Sequence, residues 1–131
     1  MKERIYYHDT DHSGAVYHAN YLKFLEEARS EYLEDRGYSV KGLMDRGVFF
    51  VVRRQEMEYK HPAFYDDVLE IKTGVKECTN VRIKFAYEIH NQSGRLIGRA
   101  STDLVCVGRD LELAELPEDV RNACALNKAG T

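Results

Sequence analysis

No apolar run in this chain of 131 residues approaches the roughly 20 residues that a membrane helix needs. The opening MKERIYYHDT also lacks the apolar stretch of a secretory signal. There is no basic excess either: 19 Lys and Arg face 22 Asp and Glu, a formal net charge of −3. That balance offers no electrostatic footprint for nucleic acid or for an anionic membrane surface. The three cysteines, Cys78, Cys106 and Cys124, lie far apart and form no CxxC pair. Zinc and dithiol sites of that pattern are therefore excluded, and reduced thiols in a cytoplasmic protein are the expectation. A composition 44% hydrophobic and 31% charged also excludes a chain too polar to fold.

What is present reads as one folded unit. No repeat, low-complexity stretch or linker divides the sequence, so a single domain over 1–131 is expected. Residues 4–8 are rich in β-formers and predict a short strand. Asp9 to Gly14 then gathers turn residues. From about His18 the period changes. Tyr21, Leu25, Ala28 and Tyr32 recur at helical spacing, and Gly37 is placed to end that helix in a left-handed conformation.

Beyond Val48 the spacing predicts strands. Residues 49–60 alternate, with Phe49, Val51, Gln55, Met57 and Tyr59 on one nominal face, until His61-Pro62 breaks the run. Further alternating segments follow around Leu69–Val75, Val81–Ile89 and Leu96–Val107. One long helix and four long strands joined by short turns predict an α+β fold, with the helix covering the apolar face of an antiparallel sheet. Phe50 and Val52 fall on the nominal outer register. They predict either a second subunit over this strand end or a local twist or bulge.

Chemistry concentrates in Tyr6-Tyr7-His8-Asp9-Thr10-Asp11-His12-Ser13-Gly14-Ala15-Val16-Tyr17-His18-Ala19-Asn20-Tyr21. Carboxylates, histidines and tyrosines precede a helix start, where backbone N–H groups lack internal partners and the dipole favours negative charge. Such donors suit an oxyanion on an acyl carbonyl, and a carboxylate just upstream suits a nucleophile or general base. Asp9 and Asp11 equally suit turn and helix capping, and Asp9 reads best as a residue that positions the loop. Tyr7, in a predicted strand, equally suits the core.

Asp9-Thr10-Asp11, Gly14, Val16-Tyr17-His18 and Asn20-Tyr21 resemble the active-site motif of the 4-hydroxybenzoyl-CoA thioesterase family, most closely its bacterial branch associated with the Tol–Pal system. The order strand, loop, long helix, four strands is similar to that family's hotdog fold, a long central helix wrapped by a five-stranded antiparallel sheet. The resemblance implies an acyl-CoA thioesterase with Asp11 as catalytic carboxylate and the His18 backbone N–H polarising the thioester carbonyl. It further implies a role for the His18 side chain and for Tyr7. Substrate contacts are expected from Tyr17 and, toward the phosphates of CoA, from Lys60. No cofactor and no metal are implied. The implied partners are acyl-CoA, possible delivery by acyl carrier protein, and copies of the chain in a homodimer or homotetramer.

Three other readings compete. Asp9-x-Asp11-x-Ser13-Gly14 begins like a calcium-binding EF-hand loop, but its twelfth position is Asn20 rather than glutamate. Dehydratases share the fold but use a different acid–histidine arrangement on the helix. A non-catalytic partner of acyl carrier protein or of envelope machinery would keep the fold without turnover.

Overall fold

The computed structural model describes residues 1–125. In order it comprises β1 (Lys2–Arg4), α1 (Asn20–Glu34), α2 (Val40–Asp45), β2 (Phe49–Tyr59), β3 (Val68–Cys78), β4 (Arg82–His90), β5 (Leu96–Val107) and α3 (Glu118–Ala125). The strands form one antiparallel sheet in the order β1-β3-β4-β5-β2, leaving β1 and β2 as its edges.

The sheet curls around α1. On that helix Tyr21, Phe24, Leu25, Ala28, Tyr32 and Leu33 are buried, the apolar stripe that the helical spacing predicts. They meet Ile71, Val75, Ile83, Phe85 and Ile89 from β3 and β4 in one core. Each large side chain so buried contributes on the order of 1.5–3 kcal/mol. The helix ends in a Schellman motif. Tyr38 N–H donates to the Leu33 carbonyl and Gly37 N–H to that of Glu34, both at 2.9 Å, with Gly37 at φ +90°.

Two strands change face midway. In β2 the pairing with β5 slips between Val52 and Arg54, leaving Arg53 as a bulge. Phe50 and Val52 consequently oppose Cys106 and Leu104, while Gln55, Met57 and Tyr59 oppose Thr102, Ala100 and Gly98. All five therefore share the helix-facing side, because an inserted residue shifts the two-residue period by one. The nominal faces predicted from alternation alone are corrected by this bulge. A matching slip between Val75 and Glu77 brings Cys78 opposite Ile83.

Two other expectations are corrected. The predicted strand at residues 4–8 is shorter and earlier. Beyond Lys2–Arg4 the chain makes a single 3₁₀ turn at Tyr7–Asp9, where the Asp9 carboxylate bonds back to the main chain and draws it out of the sheet. The long helix starts at Asn20 rather than His18. The short helix α2, capped by the Ser39 hydroxyl accepting from Gly42 N–H at 2.9 Å, has no counterpart in the sequence-based reading.

Candidate active site

The loop before α1 is a small hairpin. Thr10 bridges Val16, Asp11 N–H donates to the Ala15 carbonyl at 2.9 Å, and Tyr17 N–H donates to the Asp9 carbonyl at 2.9 Å. Gly14, at φ +85°, supplies the left-handed turn at its tip. A neighbouring segment braces the hairpin from outside. Val16 N–H donates to the Ala63 carbonyl at 2.8 Å, and Tyr65 N–H to that of Gly14 at 3.1 Å.

The two aspartates of the motif part company. Asp9 is only 3% exposed. Its carboxylate accepts from Tyr6 N–H at 2.9 Å and its carbonyl accepts from the Asn20 carboxamide at 3.1 Å, so it ties the hairpin to the first residue of α1. Asp11 stands at the exposed tip. One of its oxygens accepts from both the hydroxyl and the N–H of Ser13, at 2.5 and 2.8 Å. The other makes no hydrogen bond among the described residues. The Ser13 bonds, aided by the charge of His12, hold the Asp11 carboxyl below its ordinary range. At neutral pH it is a carboxylate with one oxygen free to act.

The start of α1 has no side-chain cap at Ala19. Asn20 N–H donates to the Tyr17 carbonyl at 2.9 Å, and Tyr21 and Leu22 close the first turn on His18 and Ala19. The N–H groups of His18 and Ala19 find no acceptor among the described residues, which leaves two donors at the positive end of a 15-residue helix. This is the arrangement that suits an oxyanion.

Of the other sequence candidates, Tyr17 is half exposed with its ring 4.6 Å from that of the exposed His18. Tyr7 is 74% exposed on the 3₁₀ turn, edge-on to Tyr65 at 5.9 Å, so it belongs to the surface and not to the core. The Lys60 ammonium lies 2.7 Å from Glu58. Lys60 follows the last residue of β2 and engages a carboxylate of that strand.

Three residues escaped the sequence reading as site components. Ser13 orients Asp11, which the spacing of an Asx turn signals. Asn20 lay inside the quoted motif without a role. Tyr59, whose hydroxyl donates to the His18 carbonyl at 3.3 Å and whose ring meets that of Tyr21, comes from a strand 41 residues away and has no local signal.

A curled antiparallel sheet around one long helix, with a carboxylate hairpin at the helix start, defines a hotdog-fold protein of the thioesterase type. A family model of the thioesterase-like superfamily matches residues 6–124, and the chain belongs to that family. It is 42% identical over 104 residues to the acyl-CoA thioester hydrolase YbgC of Escherichia coli O6:H1, across 79% of this chain and 78% of that one. The solved DHNA-CoA thioesterase of Staphylococcus aureus superposes with TM-score 0.91 at 29% identity, covering 100% of this chain and 93% of that one. A 4-hydroxybenzoyl CoA thioesterase bound to 4-hydroxybenzoyl CoA superposes with TM-score 0.85 at 26% identity, over 95% of this chain and 96% of that one.

Proposed function

We propose that this protein hydrolyses an acyl-CoA thioester to the free acid and CoA, with Asp11 as the catalytic carboxylate. Family membership supports the reaction class. The observation that carries the residue assignment is the pairing, on one hairpin and helix start, of an ionised carboxylate with a free oxygen and unpaired backbone donors at His18 and Ala19.

In this reading the thioester carbonyl oxygen accepts from the His18 N–H, which stabilises the charge that grows there as the carbonyl carbon becomes tetrahedral. The free oxygen of Asp11 either attacks that carbon, giving a mixed anhydride that water then opens, or removes a proton from the attacking water. The carbon–sulfur bond breaks and CoA leaves as its thiolate. The exposed His18 and Tyr17 side chains are the candidate contacts beside the thioester, Tyr7 is a further candidate, and Lys60 is the candidate cation for the phosphates of CoA.

The chain is further proposed to work in the cytoplasm as a single-domain protomer of a homodimer or homotetramer, receiving substrate as acyl-CoA, with acyl carrier protein as a second candidate donor. The open edge of β2, where Val51 and Val52 are each 48% exposed, supports self-association.

The test is thiol release from butanoyl-, dodecanoyl- and benzoyl-CoA by wild type and Asp11→Asn. Turnover by wild type and a fall of on the order of 10² or more in the variant are expected. Equal turnover would remove Asp11 from the mechanism, and no turnover by folded wild type would favour a binding partner over an enzyme.

A further inference from the structure

Residues of α1, α2 and β2 line a half-open cavity of about 200 Å³, with Glu26 and Arg29 at its α1 wall and apolar side chains elsewhere. Its floor is made by buried side chains: Leu33 of α1, Leu43 of α2, Val48 before β2 and Leu104 of β5. Val40, Met44 and Val52, each between 42% and 48% exposed, stand at its open side.

The cavity lies in line with the proposed oxyanion position. His18, Leu22, Glu26 and Ser30 follow one row at four-residue spacing along α1 and its entry turn, and Glu26 and Ser30 line the cavity. Leu22, on the same row, is the one apolar side chain of α1 left 46% exposed. From His18 to Glu26 the helix rises about 12 Å. With carbon–carbon bonds of about 1.5 Å in a zigzag, roughly ten carbons cover that span.

We infer that this cavity receives the far end of a straight acyl chain, so that the enzyme selects aliphatic thioesters of about ten or more carbons over aromatic ones. The inference rests on the hydrolytic reading above and extends it to the substrate class. A chain whose carbonyl is held at His18 passes Leu22 and buries its last methylenes on Leu33, Leu43 and Leu104. A benzoyl group ends well short of the cavity and gains nothing from it.

The test is the chain-length profile of kcat/KM from butanoyl- to hexadecanoyl-CoA, with benzoyl-CoA alongside, for wild type, Ser30→Trp and Met44→Ala. Ser30 is half-buried at the cavity, so tryptophan there fills the opening without replacing a core residue. Wild type is expected to prefer dodecanoyl- or longer chains. Ser30→Trp is expected to lower the dodecanoyl-to-butanoyl ratio by about tenfold or more, the scale of excluding a methylene or two from an apolar pocket. Met44→Ala, which widens the opening, should move the optimum to longer chains.

A ratio within about twofold of wild type in folded Ser30→Trp, with an unmoved profile in Met44→Ala, overturns the inference, as does a preference for benzoyl-CoA. If wild type releases no thiol from any thioester, the hydrolytic reading fails, and calorimetric titration with dodecanoate then reads the cavity directly. Binding weakened about tenfold by Ser30→Trp supports it, and absence of binding to wild type overturns it.

Discussion

The Asn20 carboxamide donates to the main-chain carbonyl of Asp9 at 3.1 Å, so the first residue of α1 holds the entrance of the hairpin that carries Asp11. The Tyr17 N–H reaches the same carbonyl, which makes Asp9 the common anchor of the hairpin and the helix start. Asn20→Ala removes one of these bonds, each worth about 1 kcal/mol in a typical setting. A loss of a few degrees in Tm is expected by calorimetry. Misplacement of the carboxylate relative to the helix donors should cost more in turnover than in stability, about tenfold or more in kcat with little change in KM. Wild-type kcat in the variant would show that the hairpin keeps its position without Asn20.

Ser13 sets the protonation of Asp11. Its hydroxyl and N–H both donate to one Asp11 oxygen and lower that carboxyl from its ordinary value. Ser13→Ala removes the hydroxyl, the larger influence, and keeps the backbone donor. The Asp11 pKa should then rise toward the usual carboxylate range, so the acid limb of the kcat/KM profile moves to higher pH while the neutral plateau changes less. Coincident acid limbs in variant and wild type would mean that another group governs that limb.

The sequence carried the sheet and the main helix clearly, because period-two and helical spacing are local properties of residues such as Val81–Ile89 and Tyr21–Tyr32. It did not carry the Arg53 bulge, since a face change is defined by pairing with β5 rather than by the strand's own letters. Helix α2 spans six residues, too few for its period to stand out. At the candidate site, the anchoring role of Asp9 and the placing of Asp11 on a turn just before the helix could be read from one contiguous motif. The approach of Tyr59 could not, because folding alone brings it to His18. The cavity beneath α1 and α2 was likewise hidden. Its apolar walls, Phe49, Phe50 and Val52 among them, read equally as a tunnel lining or as core, because spacing alone does not separate the two.

Glu3 of β1 and Glu27 of α1 make stability depend on pH. Burial first, then the charge of Glu27 and a hydrogen bond with it, and more weakly Asp9, push the Glu3 carboxyl up from 4.5 to about 7, with Lys23 opposing. A carboxyl whose pKa rises on folding binds its proton more tightly in the native state than in the unfolded one. Its contribution is fully present below pH 4.5 and is lost as pH rises through about 7. Glu3→Gln should therefore match wild type at the acid end and exceed it in Tm above neutrality. Glu27→Gln should reduce the same slope and leave the part that burial of Glu3 supplies. Thermal melts across this range give the comparison, and parallel profiles for all three proteins would exclude the pair as its source.

Gly98 connects sheet geometry to the site. It opposes Tyr59 of β2 and Ile89 of β4, and a methyl group placed on it would stand 2.6 Å from the Glu58 carbonyl oxygen and 2.8 Å from the Met57 terminal methyl. The methionine tip is the far end of a flexible side chain, but the Glu58 backbone moves only with its strand. Gly98→Ala should therefore displace the end of β2 and cost about 1–3 kcal/mol, the range of overpacking in a close-packed interior. Tyr59 sits on the displaced segment and bonds the carbonyl of His18, so thiol release should fall as well. Gly94→Ala separates the two effects. Its φ of +80° strains any side chain and nothing lies within 4 Å of the added carbon, so it should lose about 1 kcal/mol and keep its turnover. Denaturant melts and thiol release on both variants decide the matter. Equal turnover at Gly98→Ala and Gly94→Ala, at temperatures where both are folded, would disconnect the end of β2 from the helix start.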